Sequence, residues 1–278
     1  AHHEHRAKAF GAMGAAFGLG FIVGPFLGGV LSTPSVLPFF NASTPFIFSG
    51  LLSLFNAFSI YFFFRESIEH KDHERKIDML SSVKNIISTQ KCPKEIRMLL
   101  LCGFLFNAGS AFFYSFFNVY LTNKFSLSPA EIGNFFAYIG VWIIVTQVVV
   151  VRYLAKKYKE VDILGPAYIL NALGVLMYLL PSKAWYLLLI VPFASIPNGV
   201  QMANFSSFLT KETEPKMRGE VMGISSSVAS LGQAIPPIFA GLIAAATASF
   251  VPIIFGSLVV FSAGLVFIYK VKNARISK

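Results

Sequence analysis

Residues 11–29 read GAMGAAFGLGFIVGPFLGG, a stretch without a charged side chain. Small residues at intervals of four let two membrane helices approach each other closely. The stretch is therefore predicted to form a close-packed helix inside a lipid bilayer. The glycines and the proline that define its pattern are Gly11, Gly20, Gly24, Pro25, Gly28 and Gly29.

The composition of the whole chain supports a membrane location. Of 278 residues, 55% are hydrophobic and 13% are charged, and 30 are phenylalanine. A water-soluble protein of this length carries more charge on its surface. The net charge of +10 does not indicate a nucleic-acid partner, because the charges lie in short loops between long apolar blocks. Cys92 and Cys102 form neither a disulfide framework nor a zinc-binding spacing.

Eight apolar blocks are long enough to cross the hydrocarbon, which takes about 20 residues. None has Asp, Glu, Lys or Arg in its interior, where a Lys or Arg costs about 2.5–3.5 kcal/mol on insertion scales. The predicted spans are 10–31, 45–64, 98–122, 132–151, 163–180, 185–209, 221–245 and 250–269.

The basic residues provide an independent test of this count. If successive spans alternate in direction, all 23 Lys and Arg except Lys124 and Lys183 fall on one side of the membrane. Loops rich in Lys and Arg stay on the cytoplasmic side. We therefore expect both termini in the cytoplasm, and the protein in the plasma membrane.

The first and seventh spans are related by an internal repeat. At a constant offset of 212 residues, five identities fall in register. Helix packing explains each glycine singly, whereas a duplicated six-helix unit, as in transporters with parallel repeats, explains the set. The matched pairs are Arg6–Arg218, Gly11–Gly223, Gly20–Gly232, Pro25–Pro237 and Gly29–Gly241.

The ordered glycines and proline of residues 11–29 resemble the antiporter motif in the fifth helix of the major facilitator superfamily, in its drug–proton and tetracycline-type exporters. The resemblance extends from Arg6 to Tyr269. It includes a charged central loop and the following positions: Tyr120-Leu121, Glu131-Ile132-Gly133 and Gln147.

This resemblance implies an all-α membrane protein with a major-facilitator-type bundle. Eight transmembrane helices are expected: the last two of the N-terminal bundle in 1–64 and a complete six-helix C-terminal half with its cytoplasmic tail in 98–278. The cytoplasmic central loop in 65–97 is expected to hold an amphipathic helix, because Ile77, Leu80, Val83 and Ile87 recur at helical spacing. The family has twelve helices, so we expect a fragment whose missing part carries the acidic residue for proton coupling.

No enzyme constellation is recognisable in the sequence. The 13 acidic residues lie in loops or at helix ends, and no His lies inside a predicted span. His2, His3 and His5 could bind a metal weakly, but a solvated loop explains them better. We therefore expect no catalytic residue, no metal site and no cofactor, with a proton gradient as the energy source.

Polar groups inside the spans are the candidate binding residues. Asn107, Ser110, Tyr114 and Asn118 fall within a narrow arc of one helix face. Such a face avoids hydrocarbon and looks at protein or water. Two interpretations remain open: hydrogen bonds between helices, or a substrate cavity with Phe113 and Phe117 nearby.

The sixth span adds a second candidate face with Asn198, Gln201 and Met202. Pro197 and Gly199 predict a kink beside it. Asn134 and Tyr138 in the fourth span are further candidate neighbours of the cavity. The seventh span is expected to pack at the interface between the halves, together with the motif helix. The expected interface residues are Gly11, Gly20, Gly24, Pro25, Gly28, Gly29, Gly232, Gln233, Pro237 and Gly241.

A cavity of aromatic and amide side chains without fixed charge favours a mostly apolar ligand held by few hydrogen bonds. Phosphates or dicarboxylates would require Arg or Lys. The leading hypothesis is proton-coupled efflux of a small lipophilic molecule by alternating access. Uptake of a nutrient (a sugar, peptide or metabolite) and a non-transporting receptor or assembly role remain alternatives. The expected partners are the lipid bilayer, a small-molecule substrate and protons, with no nucleic acid, and the full-length protein is expected to be monomeric.

Overall fold

The computed structural model describes residues 20, 23–63, 89, 92–215 and 217–272. Every regular element within these residues is helical. Seven of the described helices are long and apolar enough to cross a membrane. The protein is therefore all-α. The predicted amphipathic helix at 77–87 and the positions Arg6 and Gly11 lie outside the described residues.

Eight helical segments follow one another within the described residues. Helix α4 ends with a π-helical turn and a short α-helix, α7 is interrupted at Ile235, and α8 ends with a π-helical turn. The segments are α1 (23–31), α2 (Thr44–Phe63), α3 (Lys94–Phe125), α4 (Pro129–Val145, continued by Thr146–Val150 and Val151–Lys157), α5 (Glu160–Met177), α6 (Trp185–Glu212), α7 (Arg218–Ala234 and Pro236–Ala246) and α8 (Val251–Val266, continued by Phe267–Lys272).

The turn between α3 and α4 is specified by local chemistry. Helix α3 ends at Ser126, which has φ 55° and donates its backbone N–H to the carbonyl oxygen of Thr122 at 2.9 Å. Helix α4 begins with Pro129, whose missing N–H is not needed at a helix start. Ser128 and Glu131 form a capping box, in which each side chain accepts the backbone N–H of the other residue.

Helix α3 is the centre of the bundle. It packs against α7 and α8, while α5 packs against α6 and α8, and α4 packs against α6. One apolar cluster joins α3, α5, α6, α7 and α8 around Tyr168 and Phe267. A second cluster, rich in aromatic residues, joins α3, α4, α5, α6 and α8, with Phe117 and Tyr178 ring centroids 5.0 Å apart. Helix α2, in contrast, has no buried residue.

Three differences from the predicted spans have physical reasons. Helix α4 extends to Lys157, because a helix can continue beyond the hydrocarbon once its side chains are charged. The seventh span is broken at Ile235, because Pro236 and Pro237 cannot donate backbone hydrogen bonds. Helix α6 continues to Glu212, beyond the predicted end at 209, because the charged Lys211 and Glu212 can lie outside the hydrocarbon. The kink expected at Pro197 stays a prediction.

Candidate functional site

A cavity of about 750 Å³ opens between α3, α6 and α7. Its volume lies within the range of about 300–1,000 Å³ that is typical of small-molecule sites. None of the side chains that line it is charged, as far as the structure describes the chain. Six of the predicted substrate-cavity residues line it: Asn107, Ser110, Tyr114, Asn198, Gln201 and Met202.

The polar face of α3 is connected to α7 through Asn107. The Asn107 side-chain amide donates to the carbonyl oxygen of Gly103 at 2.8 Å, a bond within its own helix. Its Oδ1 accepts a hydrogen bond of 3.0 Å from Nε2 of Gln233. Asn107 thus makes an interhelical hydrogen bond and also borders the cavity, so the two interpretations of this face are compatible.

Gln201 borders the large cavity and has a buried polar atom without a hydrogen-bond partner in the described structure. Its side chain is 3% exposed and borders the cavity from α6. Nε2 donates to the hydroxyl of the fully buried Tyr168 at 3.3 Å. Oε1 has no hydrogen-bond partner in the described structure. A buried carbonyl without a donor costs about 1–3 kcal/mol, so a ligand or water that brings a donor would be favoured here.

The motif helix α1 contacts the beginning of α4. A Cβ atom at Gly29 would lie 2.9 Å from the carbonyl oxygen of Pro129 and 3.1 Å from Cα of Gly133. A Cβ atom at Gly133 would lie 2.6 Å from the carbonyl oxygen of Pro25. Only residues without a side chain permit this approach of two backbones. Gly20, Gly24 and Gly28 have no such neighbour within 4 Å.

Comparison with known proteins agrees with this geometry. The sequence profile described as Major Facilitator Superfamily matches residues 1–95 and 99–277. The chain belongs to the Major Facilitator Superfamily. With its seven described membrane-length helices, it is an integral, multi-pass membrane protein of that family.

Several curated relatives of this Major Facilitator Superfamily chain are resistance proteins. It is 24% identical over 250 residues to the tetracycline resistance protein, class C, of Escherichia coli, covering 88% of the chain and 60% of the relative. It is 22% identical over 274 residues to multidrug resistance protein 2 of Bacillus subtilis, covering 97% and 66%. The human solute carrier family 67 member A1 is 23% identical over 247 residues, with 86% and 57% covered. The chain thus spans less than two thirds of the length of these relatives.

Five of the predicted cavity residues do not line the large cavity. Phe113 borders a smaller recess, described below, and Phe117 is fully buried in the aromatic cluster. Asn118 and Asn134 are exposed and border neither cavity, because the large cavity ends near Ser115 on α3. Tyr138 stacks edge-on against Trp142, with ring centroids 6.4 Å apart, and lies outside the cavity wall.

Helix α7 contributes more to the cavity than the sequence indicated. Gln233 and Pro237, expected at the interface between halves, border the cavity, and so do Ser225 and Ser226. Gly232 packs against α3, since a Cβ atom there would lie 3.0 Å from the carbonyl oxygen of Phe104, whereas Gly241 has no such neighbour within 4 Å. The sequence missed Phe205 and Ser206 on α6, although helical spacing from Asn198 and Met202 predicts that face.

The described residues contain no group of His, Cys, Asp and Glu that could hold a metal ion. The chemistry available at the cavity is therefore apolar contact and neutral hydrogen bonding. That chemistry is suited to recognising a ligand.

Proposed function

We propose that this chain is part of a transporter that exports a small, mostly lipophilic molecule by alternating access, driven by a proton gradient. Membership of the Major Facilitator Superfamily supports transport. The names of two relatives, a tetracycline resistance protein and a multidrug resistance protein, favour efflux of a drug-like compound.

The observation that carries this proposal is the uncharged cavity. At about 750 Å³ it accommodates a drug-sized molecule, and its wall combines Phe, Met and Ile with a few amides and hydroxyls. An anionic substrate would need Arg or Lys at the wall. A lipophilic molecule matches the apolar wall, and one that also carries a hydrogen-bond donor would satisfy the unpartnered Oε1 of Gln201.

The contact between α1 and α4 supports alternating access. Rocking of one bundle against the other requires an interface that is close but without interlocking side chains. Gly29 and Gly133 provide such a surface, with backbone meeting backbone. In this proposal the protein works as a monomer in the plasma membrane, with the Lys- and Arg-rich loops and both termini in the cytoplasm.

Transport by the full-length protein in proteoliposomes tests the proposal. We expect efflux of tetracycline or of tetraphenylphosphonium, a lipophilic cation, when a pH gradient is imposed, and loss of efflux when a protonophore collapses the gradient. Inward accumulation of a sugar or peptide would contradict efflux. Absence of transport for every tested lipophilic compound would contradict the substrate class.

Two asparagines of α3 provide a matched pair for the site. Asn107 borders the cavity, and Asn118 lies about three turns further along the same helix, outside the cavity wall. We expect Asn107→Ala to raise KM for the transported compound roughly fivefold, the equivalent of one hydrogen bond, and Asn118→Ala to leave it unchanged. If both variants purify as folded protein and change KM equally, the cavity is not the site at which the compound binds.

A further inference from the structure

A second, much smaller recess lies beside the large cavity. Its volume is about 30 Å³, and it is enclosed by α3, α4, α5, α6 and α8. Ser110, Tyr114 and Asn198 border both spaces.

The wall of the recess includes several polar side chains. Asn171 donates its side-chain N–H to the carbonyl oxygen of Ala194 at 3.2 Å, and Ser257 donates its hydroxyl to the carbonyl oxygen of Ala172 at 2.8 Å. Both residues therefore satisfy a backbone carbonyl of α5 or α6 while still facing the recess.

Ser195 is different from these two neighbours. It borders the recess and is 2% exposed, and its Oγ has no hydrogen-bond partner in the described structure. Tyr178 borders the same recess, but no hydrogen bond joins it to Ser195 within the described residues. A buried hydroxyl without a partner is costly, because it has lost its bonds to water and gained none in return.

We propose that this recess is a binding site for ordered water, with Ser195 as its anchor. One water needs about 10–15 Å³ of such volume and two to four polar partners. A volume of 30 Å³ thus accommodates about two molecules. Ser195, Asn171 and the Tyr178 hydroxyl supply the partners from α5 and α6.

Water fits the recess better than a cation does. None of the described residues that line it is charged. A monovalent cation there would keep an uncompensated charge in a medium of low dielectric constant, whereas water brings no net charge. Water also completes the hydrogen bonds of Ser195 as donor or acceptor.

The proposed water site does not depend on the proposed transport function, since it is inferred only from the recess and its wall. The bound water lies beside Ser110, Tyr114 and Asn198, the three residues that also border the large cavity. A change in this water would therefore be felt at the wall of the large cavity.

X-ray radiolysis of the purified full-length protein tests the proposal without any transport assay. Radiolysis of bound water produces hydroxyl radicals that label the adjacent side chains, and mass spectrometry measures the rate. We expect strong labelling of Tyr178 and Phe113, which are 2% and 6% exposed and border the recess. Phe267 is the dry control, because it is 0% exposed and borders neither cavity. Tyr114 is the wet control, because it also faces the large cavity.

Substitution of Ser195 provides the specific test. Ser195→Ala removes one hydrogen bond and is expected to lower Tyr178 labelling roughly fivefold. Ser195→Val also fills the recess with methyl groups and is expected to reduce labelling to the level of Phe267. In both variants Tyr114 labelling should persist. Ser262→Ala is the matched control, because the Ser262 hydroxyl already donates to the carbonyl oxygen of Val259 at 2.7 Å and does not border the recess.

Three outcomes would overturn the water site. The first is labelling of Tyr178 in the unmodified protein that does not exceed that of Phe267. The second is unchanged Tyr178 labelling in Ser195→Val that still folds, as judged by size-exclusion chromatography. The third is labelling that changes when sodium is replaced by choline, which would point to a bound cation. None of these results depends on whether the protein exports drugs.

Discussion

Helices α1 and α7 carry the same glycines and proline at equivalent positions, yet they use them differently. At the last matched position, Gly29 of α1 touches the backbone of α4, whereas Gly241 of α7 has no such neighbour within 4 Å. At an earlier matched position the pattern is reversed. Gly232 of α7 packs on the backbone of α3, whereas Gly20, which precedes α1 in the sequence, has no such neighbour within 4 Å.

This difference shows what a repeated motif preserves. The duplication keeps small residues on a helix face, so that another helix can approach there. Which glycine is then in contact depends on the neighbouring helix, and that information is not contained in the motif itself. Within the described residues, each copy uses a different one of these two matched positions for close packing.

The largest expected effect comes from filling the contact at Gly29. A leucine there meets two backbones that cannot move aside, and such overpacking costs about 1–3 kcal/mol. Gly241→Leu is the matched substitution at the open position and is expected to change stability by less than about 0.5 kcal/mol. Thermal unfolding of both full-length variants in detergent measures the difference.

Equal loss of stability in Gly29→Leu and Gly241→Leu would contradict the difference between α1 and α7, because it would mean that the repeat imposes equivalent contacts on both helices. A loss confined to Gly241→Leu would mean that the close contact lies at Gly241 and not at Gly29.

An intermediate effect is expected at the interhelical bond beside Gly232. Gln233 donates to Asn107 at 3.0 Å and joins α7 to α3 next to the close glycine contact. Hydrogen bonds of this kind in membrane proteins contribute about 0.6 kcal/mol on average. A double-mutant cycle with Asn107→Ala and Gln233→Ala should therefore give a coupling energy of that size, and fully additive effects would show that the bond contributes nothing.

The smallest effect on stability is expected at the ion pair between the start of α5 and the end of α6. Glu160 pairs with Lys211 and also accepts a hydrogen bond of 3.2 Å from Ser207. Because the Lys211 side chain is 62% exposed, we expect Lys211→Met to cost no more than about 0.5 kcal/mol at low salt. The loss should vanish in 1 M salt, where the Debye length is only about 3 Å. Glycine contacts have no such salt dependence, so a loss that persists in high salt would assign Lys211 to packing.

Much of the fold could be predicted because a membrane imposes strong constraints on sequence. Apolar blocks of sufficient length predicted α2 to α8, and the fold class is confirmed. The ends of the helices were less predictable, since the requirement for apolar residues ends where the hydrocarbon ends. Arg152 and Lys157 could therefore continue α4 without any signal that the span had finished.

The candidate site was only partly predictable, because periodicity identifies a helix face but not its extent. The spacing that brought Asn107, Ser110 and Tyr114 together also selected Asn118, which lies past the end of the cavity. Phe117 belongs to the aromatic cluster instead, where Tyr178 from a distant part of the chain covers it. Such contacts between remote helices leave no local pattern in the sequence.

The central claim is that the uncharged cavity between α3, α6 and α7 is the path of the substrate. Two positions on α6 test it, because Met202 borders the cavity and Phe193 lies about two and a half turns away, on the opposite face of the helix. Their exposed fractions are comparable, at 41% and 62%. Burial raises the pKa of the native Cys92 thiol, so this thiol reacts slowly with thiol reagents at neutral pH. Replacing Cys92 and Cys102 by Ser removes any labelling of the native thiols.

The decisive measurement is labelling of Met202→Cys and Phe193→Cys in the full-length protein in membranes, with a charged thiol reagent that does not enter lipid. We predict that Met202→Cys is labelled, that tetracycline or tetraphenylphosphonium slows its labelling, and that Phe193→Cys is not labelled. Labelling of Phe193→Cys at the same rate as Met202→Cys, or labelling of Met202→Cys that neither compound slows, would contradict the account.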